Sequence, residues 1–445
     1  MLPTIKNIIA QQIIDSRGNP TVEATVFLTD GTNGRASVPS GASTGDREAV
    51  ELRDEKNPAF HNKGVSGAIN NIHSIITPSL IGMSPFNIME IDKTMIKLDG
   101  TENKSRLGAN AILAVSLANI HAGAAHYKQD LYEYIFKYIN SNQYKNYSVL
   151  SMPIPMMNIL NGGSHADNNV EIQEFMIMPT GFSNFSDALR AGVEIFHSLK
   201  VILKKKNYST TTGDEGGFAP SLRCNEEAIE LILEAINLAN YKPENEICLS
   251  LDVAASELFN RENSLYSLVS GKNKNLSSLE LIEYYQKICE QYPIISIEDG
   301  LDQNDWKNWA RLTQLLGKEV QIVGDDLTVT NTKLLEKAIN NQSINAILIK
   351  LNQIGTFTET LEAIQLAKKN KLGVIISHRS GETEDTTIAD LAVAVSAGQI
   401  KTGSVCRTDR TAKYNQLLRI EHSLNQNVKY TTRETLGCKK EEKEV

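Results

Sequence analysis

Six apolar, strand-like runs in the second half of this chain each end on an ionisable residue. They end at Asp252 (I-C-L-S-L-D), Glu298 (I-I-S-I-E-D), Asp325 (Q-I-V-G-D-D), Lys350 (A-I-L-I-K), His378 (G-V-I-I-S-H) and Lys401 (G-Q-I-K-T). Successive ends lie 46, 27, 25, 28 and 23 residues apart. After the first step this is the length of one strand plus one crossover helix, so the spacing predicts a run of βα units. In a closed βα barrel the parallel strands all point one way, and their C-terminal ends gather around the mouth where such barrels keep their chemistry. Three carboxylates, two lysines and a histidine at one mouth point to a divalent metal facing a cationic base.

A chain of 445 residues accommodates two domains, one of them barrel-sized. A net charge of −8 with no basic cluster argues against a nucleic-acid partner. The apolar stretch 111–125 is interrupted by Ser116, Asn119 and His121 and predicts a buried helix, with no membrane partner. Five cysteines, odd in number and without a C-x-x-C pair, read as reduced thiols of a cytoplasmic protein. No cleavage-like site follows the N-terminus, so no signal peptide is expected.

Residues 1 to about 40 alternate in the strand manner, and helical periodicity follows over 64–80, 86–97 and 108–137. This predicts a smaller α+β domain over 1–138, a polar linker over 139–151, a barrel domain over 152–437 and a charged tail over 438–445. Eight strand candidates follow the linker: 153–160, 174–178, 247–251, 294–297, 321–323, 346–349, 373–376 and 399–402. Eight strands close a barrel. The connection 161–173 is rich in Gly and Asn and has no helical period, so the first two strands are expected to be antiparallel. Two helical patterns, 183–206 and 225–240, precede the third strand. The fold class derived is α/β, an irregular TIM-type barrel of order ββαα(βα)6 behind a small α+β domain.

Asp252, Glu298 and Asp325 offer hard oxygen ligands suited to Mg²⁺. Each alone reads equally as a helix cap or a loop carboxylate, and alternation does not choose between Glu298 and Asp299 or between Asp325 and Asp326. Lys350 ends a wholly apolar run. Facing the mouth, with Lys401 as neighbour, its pKa is expected to fall toward that of a usable base, whereas at the surface it simply snorkels. The loop Ser40–Gly45 (S-G-A-S-T-G) lacks the G-K-[ST] of a P-loop and reads as a plain turn or a mobile lid. Arg379-Ser380 can grip a phosphate or form a salt-bridged turn. His165 and Glu174 flank a glycine-rich loop, and Glu215 between glycines reads as a hinge carboxylate or a general acid.

Nine strings carry a wider resemblance: D-S-R-G-N-P-T-V-E (15–23), P-S-G-A-S-T-G (39–45), H-A-D-N-N-V-E-I-Q-E-F (165–175), G-D-E-G-G-F-A-P (213–220), S-L-D-V-A-A-S-E (250–257), S-I-E-D-G-L (296–301), G-D-D-L-T-V-T-N (324–331), S-H-R-S-G-E-T-E-D (377–385) and G-Q-I-K-T-G-S (399–405). In this order, over nearly the full length, the chain resembles the enolase family. The resemblance implies Mg²⁺-dependent, reversible dehydration of 2-phosphoglycerate to phosphoenolpyruvate, with two Mg²⁺ per site. It implies Lys350 as the base, Glu215 as the acid supported by Glu174, and His165 on a closing loop. Asp252, Glu298 and Asp325 would hold the first Mg²⁺, and Ser40 would join the second. Gln173, His378, Arg379, Ser380 and Lys401 would bind substrate. It also implies a homodimer or higher oligomer, paired through Glu23 and Arg419. Alternatives are a superfamily racemase or cycloisomerase acting on a non-phosphorylated acid, or an added scaffold or cell-surface binding role.

Overall fold

The computed structural model describes residues 2–42, 44–141, 149–268, 275–425 and 428–438. The first strands, Ile5–Ile14, Pro20–Leu28 and Asn33–Ser37, form an antiparallel meander. Helix Ala109–His126 lies across it and is buried on nearly every side, as its Ala-rich, uncharged sequence requires. The contact is close enough to need glycine: a Cβ at Gly34 would stand 2.0 Å from the Ala122 nitrogen.

Two of the expected helices are broken. Over 64–80 the helix widens to a π turn at Ile72–Ile76 just before Pro78, which has no N–H to continue the ladder. The expected helix 108–137 is two, Ala109–His126 and Leu131–Ser141. Lys128 turns left-handed at φ 51°, and the Asp390 carboxylate accepts the amide of Tyr132 at 3.2 Å, capping the second helix from the barrel side. The helix expected over 86–97 runs Ile88–Asp99 and stops at Gly100, φ 70°.

All eight expected barrel strands are present: Ile154–Asn161, Glu174–Pro179, Ile247–Asp252, Ile294–Glu298, Gln321–Gly324, Ala346–Ile349, Gly373–Ser377 and Gly398–Lys401. They close in sequence order, the eighth pairing with the first. The second strand is antiparallel to both neighbours and the other pairings are parallel. Its reversal puts its first residue at the mouth, so Glu174 pairs in register with Asp252. The helices expected at 183–206 and 225–240 are Phe185–Lys205 and Asn225–Leu238. Three short strands, Phe259–Asn260, Leu265–Ser267 and Asn275–Leu276, were not anticipated.

The two domains interlock through helix ends. Asp92 accepts from Thr358 N and Oγ1 at 2.9 and 2.6 Å, and Ser116 Oγ accepts from Phe357 N at 3.1 Å. Helix Leu131–Ser141 runs through the expected boundary at 138, while 142–148 of the linker and 439–445 of the tail lie outside the described residues. The division into 1–138, 139–151, 152–437 and 438–445 remains a proposal. Among the described residues no helix is long and apolar enough to cross a membrane.

Candidate active site

The strand ends converge as the spacing requires. A cleft of about 410 Å³ at the mouth is lined by His165, Gln173, Glu174, Glu215, Asp252, Asp325, Lys350, His378, Arg379, Ser380 and Lys401 among others. The Lys401 ammonium lies 2.8 Å from Asp252 Oδ2, 2.9 Å from both Glu298 oxygens and 3.3 Å from Glu174 Oε1. Gln173 donates to Asp252 Oδ2 at 3.4 Å and accepts from Ser164 Oγ at 2.7 Å. Lys350 donates to Asp325 Oδ2, whose other oxygen accepts from Gln353 Nε2 at 2.8 Å.

The expected lowering of the Lys350 pKa is not seen. Burial pulls it down, but Asp325 in contact overrides this and holds the ammonium above its ordinary range. Lys401 is likewise buried and raised, by Asp252, Glu174 and Glu298. Glu298 goes well up through burial and the nearby Asp252 charge.

Across the cleft stands a carboxyl pair. Glu174 is raised well above the ordinary range by burial and by the Glu215 charge. Burial pushes Glu215 up as well, yet His378, His165 and Arg410 together hold it well below. Two carboxyls this close titrate as a pair, with Glu174 pushed up and Glu215 down. His165 Nδ1 lies 3.5 Å from Glu174 and 3.7 Å from Glu215, close to both. Asn158, a polar residue within a mostly apolar strand, donates to Glu215 Oε2 at 3.1 Å.

Arg379 forms a bidentate pair with Glu48 at 2.9 and 3.1 Å and reaches Asn352 Oδ1 at 2.9 Å. Ser380 Oγ accepts from Ala42 N at 2.7 Å, so the small-residue loop leans on this end of the site. Ser40 does not join the acidic cluster. Its hydroxyl is buried, donates to Asp15 Oδ2 at 2.7 Å and accepts from Arg17 at 3.3 Å, and its backbone pairs with Gly381. In this arrangement the hydroxyl is engaged by Asp15 and Arg17, and Ser43 lies outside the described residues.

Alternation could not choose between neighbouring carboxylates because both members of each pair are used. Asp299, left-handed at φ 44°, accepts the amides of Asp325 and Asp326 at 3.0 and 2.9 Å. The doubled acids were a usable signal for this support. Glu48, Gln353 and Arg410 had none, since their partners come from distant segments.

The donor chemistry fits divalent cations. Carboxylate oxygens of Asp299, Asp325 and Asp326 lie within 4.8 Å of one another. Asp252 and Glu298 already share a cation, Lys401. The carboxylates Glu174, Glu215, Asp252, Glu298, Asp299, Asp325 and Asp326 outnumber the cations Lys350, Lys401 and Arg379 around them, an excess of buried negative charge that metal ions would relieve.

A smaller α+β domain on a barrel with one reversed strand, its mouth pairing lysines with carboxylates, is the architecture of a barrel enzyme. Residues 5–135 match the family model "Enolase, N-terminal domain" and residues 149–438 match "Enolase, C-terminal TIM barrel domain". The chain belongs to the enolase family.

Proposed function

We propose that this protein catalyses the Mg²⁺-dependent, reversible dehydration of 2-phosphoglycerate to phosphoenolpyruvate. One observation supports this above the rest: a single cleft brings Lys350 and the buried Lys401 among carboxylates together with the close carboxyl pair Glu174 and Glu215. Removing a proton α to a carboxylate and expelling hydroxide needs both sets.

Lys350 takes the C2 proton as the free amine, a form that its contact with Asp325 disfavours and that a divalent ion drawing on that carboxylate would favour, and the electron pair moves into the substrate carboxylate. The carbanion then forms C2=C3 as the C3–O bond breaks. The leaving hydroxyl takes the proton of the Glu174–Glu215 pair through Glu215 and departs as water. Arg379 and Ser380 hold the phosphate, Gln173 and His378 orient the substrate, and the Lys401 ammonium faces the developing negative charge. His165 and the 40–45 loop close over the site and exclude water. Asp252, Glu298 and Asp325 are the residues that would hold the first Mg²⁺, and Ser40 would join a second with the phosphate. Bound there, the metal supplies positive charge for a carboxylate that grows more anionic as its α-proton leaves.

A homodimer belongs to the same proposal. Within one chain Glu23 is held by Ser37 at 2.9 Å and Gln11 at 2.8 Å, and exposed Arg419 contacts only Gln416 among the pairs described. In the proposed dimer these two residues would meet across the interface.

The test is ultraviolet absorbance of the conjugated enol phosphate on adding 2-phosphoglycerate and Mg²⁺. Turnover of a non-phosphorylated acid with none of 2-phosphoglycerate would instead favour a racemase or cycloisomerase.

A further inference from the structure

Helix Thr408–Leu424 begins T-D-R, and its Arg410 side chain runs inward beneath the mouth, fully buried. The guanidinium has five N–H groups; the four on its terminal nitrogens all donate, while Nε faces Asp409 without a hydrogen bond. NH1 donates to His378 Nδ1 and to Arg379 O at 2.6 Å. NH2 donates to Ser380 O at 2.6 Å and Asp214 O at 3.3 Å, and Nε lies 2.8 Å from Asp409 Oδ2. The passage is tailored to it. A Cβ on Gly403, φ 78°, would stand 2.8 Å from Arg410 Cδ and 2.9 Å from Glu215 O.

Arginine only donates, and it keeps its proton at any pH a protein meets. An imidazole nitrogen facing it must offer a lone pair. Nδ1 of His378 is therefore bare, and the ring proton sits on Nε2, 3.3 Å from Glu215 Oε2. We propose that Arg410 is a positioning residue that locks His378 as the neutral Nε2–H tautomer aimed at Glu215, and that its carbonyl contacts clamp the Glu215 loop to the Arg379–Ser380 turn. Burial, with Arg410 beside the ring, holds the His378 pKa down at about 4 against the pull of Glu215, in keeping with a ring that stays neutral. His378 then keeps its Nε2–H facing Glu215 across 3.3 Å, and no proton passes through it. The kinetic part of this proposal rests on the function proposed above; the tautomer does not.

The experiment is long-range ¹H–¹⁵N correlation on full-length, ¹⁵N-histidine-labelled protein with Mg²⁺, the His378 signals being those lost in His378→Gln. The expected pattern is a bare Nδ1 and protonated Nε2, unchanged from about pH 5 to about pH 8. An Nδ1–H ring, or titration near the ordinary value of about 6.5, would overturn the lock. In Arg410→Gln the amide can turn its oxygen to a protonated Nδ1. That ring should titrate, adding an acidic limb near about pH 6.5 to the rate profile. Its kcat should fall about a hundredfold while KM moves far less, because a misaligned acid affects the transition state more than binding. Arg410→Lys keeps a cation and should restore the flat histidine signal. Should both variants unfold, the tautomer measurement on the unaltered chain still decides the lock. A locked ring with unchanged kcat in Arg410→Gln overturns the positioning role. A locked ring in a protein that does not act on 2-phosphoglycerate supports the lock and overturns the reaction.

Discussion

The two ends of the barrel interior solve the problem of buried polarity in opposite ways. At the lower end Gln321 and Gln399 exchange amide hydrogen bonds at 2.9 and 2.8 Å, and Gln321 also donates to Ser296 Oγ at 3.1 Å. The remaining lone pair of Gln321 meets Gly437 N at 3.3 Å, where the C-terminal segment covers the barrel. Every group there is neutral and the amides are paired. At the mouth the groups are charged, and Glu174 Oε2, His165 Nδ1 and His378 Nε2 are buried without a hydrogen bond. A satisfied neutral network holds strands together at little cost, whereas an unsatisfied charged one persists because the fold elsewhere tolerates it. The contrast separates residues kept for folding from residues kept for chemistry.

The largest expected effect is at the mouth. Lys350→Ala should abolish both product formation and exchange of the C2 proton with solvent. Glu215→Gln should lower product formation by about 10²–10⁴-fold yet keep C2 exchange, since a general acid contributes roughly that much. Deuterium exchange followed by NMR reads both, and equal loss of exchange in the two variants would sink the division of roles. Next, Asp252→Ala should remove activity together with the Mg²⁺-dependent rise in Tm, which for the unaltered protein is worth about 2.7 kcal/mol at a metal concentration a hundred times Kd. A variant that still gains stability from Mg²⁺ would show that Asp252 is not a ligand.

The lower end should respond the other way round. Gln321→Leu strands the Gln399 amide and should cost about 1–3 kcal/mol of stability while leaving kcat near normal. Replacing both glutamines with Leu should recover much of that loss. A large fall in kcat from the single change would break the comparison. The smallest effect is a slope. Burial and the neighbouring Asp325 raise Asp326 from 3.8 to about 8. In the metal-free protein the folded state then holds this proton more tightly than the unfolded chain. Its contribution to stability is fully present below the ordinary carboxylate range and lost as pH rises toward about 8. Chemical denaturation across that window should show stability falling with pH, and Asp326→Asn should flatten the curve.

Much of the site was legible because parallel strands of one length deliver their last residues to one rim. That placed Asp252, Glu298, Asp325, Lys350, His378 and Lys401 around a common mouth with no knowledge of side-chain contacts. The absence of helical period over 161–173 also disclosed the reversed strand, and with it the place of Glu174 at the mouth. Helix limits were less legible. The break at Lys128 is sustained by Asp390, which lies in a different domain of the chain. The contacts of Ser40 were illegible for a similar reason: Asp15, Arg17 and Gly381 claim it, and no local pattern says so.

The sequence by itself determined the barrel, the order of its strands and which ionisable residues face one another across its mouth, because periodicity and strand direction are local properties repeated along the chain. Only the tertiary structure decided the charge state of each. Asp325 raises Lys350, the paired Glu174 and Glu215 are pushed in opposite directions, and Arg410 stands against His378 Nδ1. Those states depend on burial and on contacts at about 3 Å between residues tens to hundreds of positions apart, where electrostatic energy is steepest in distance.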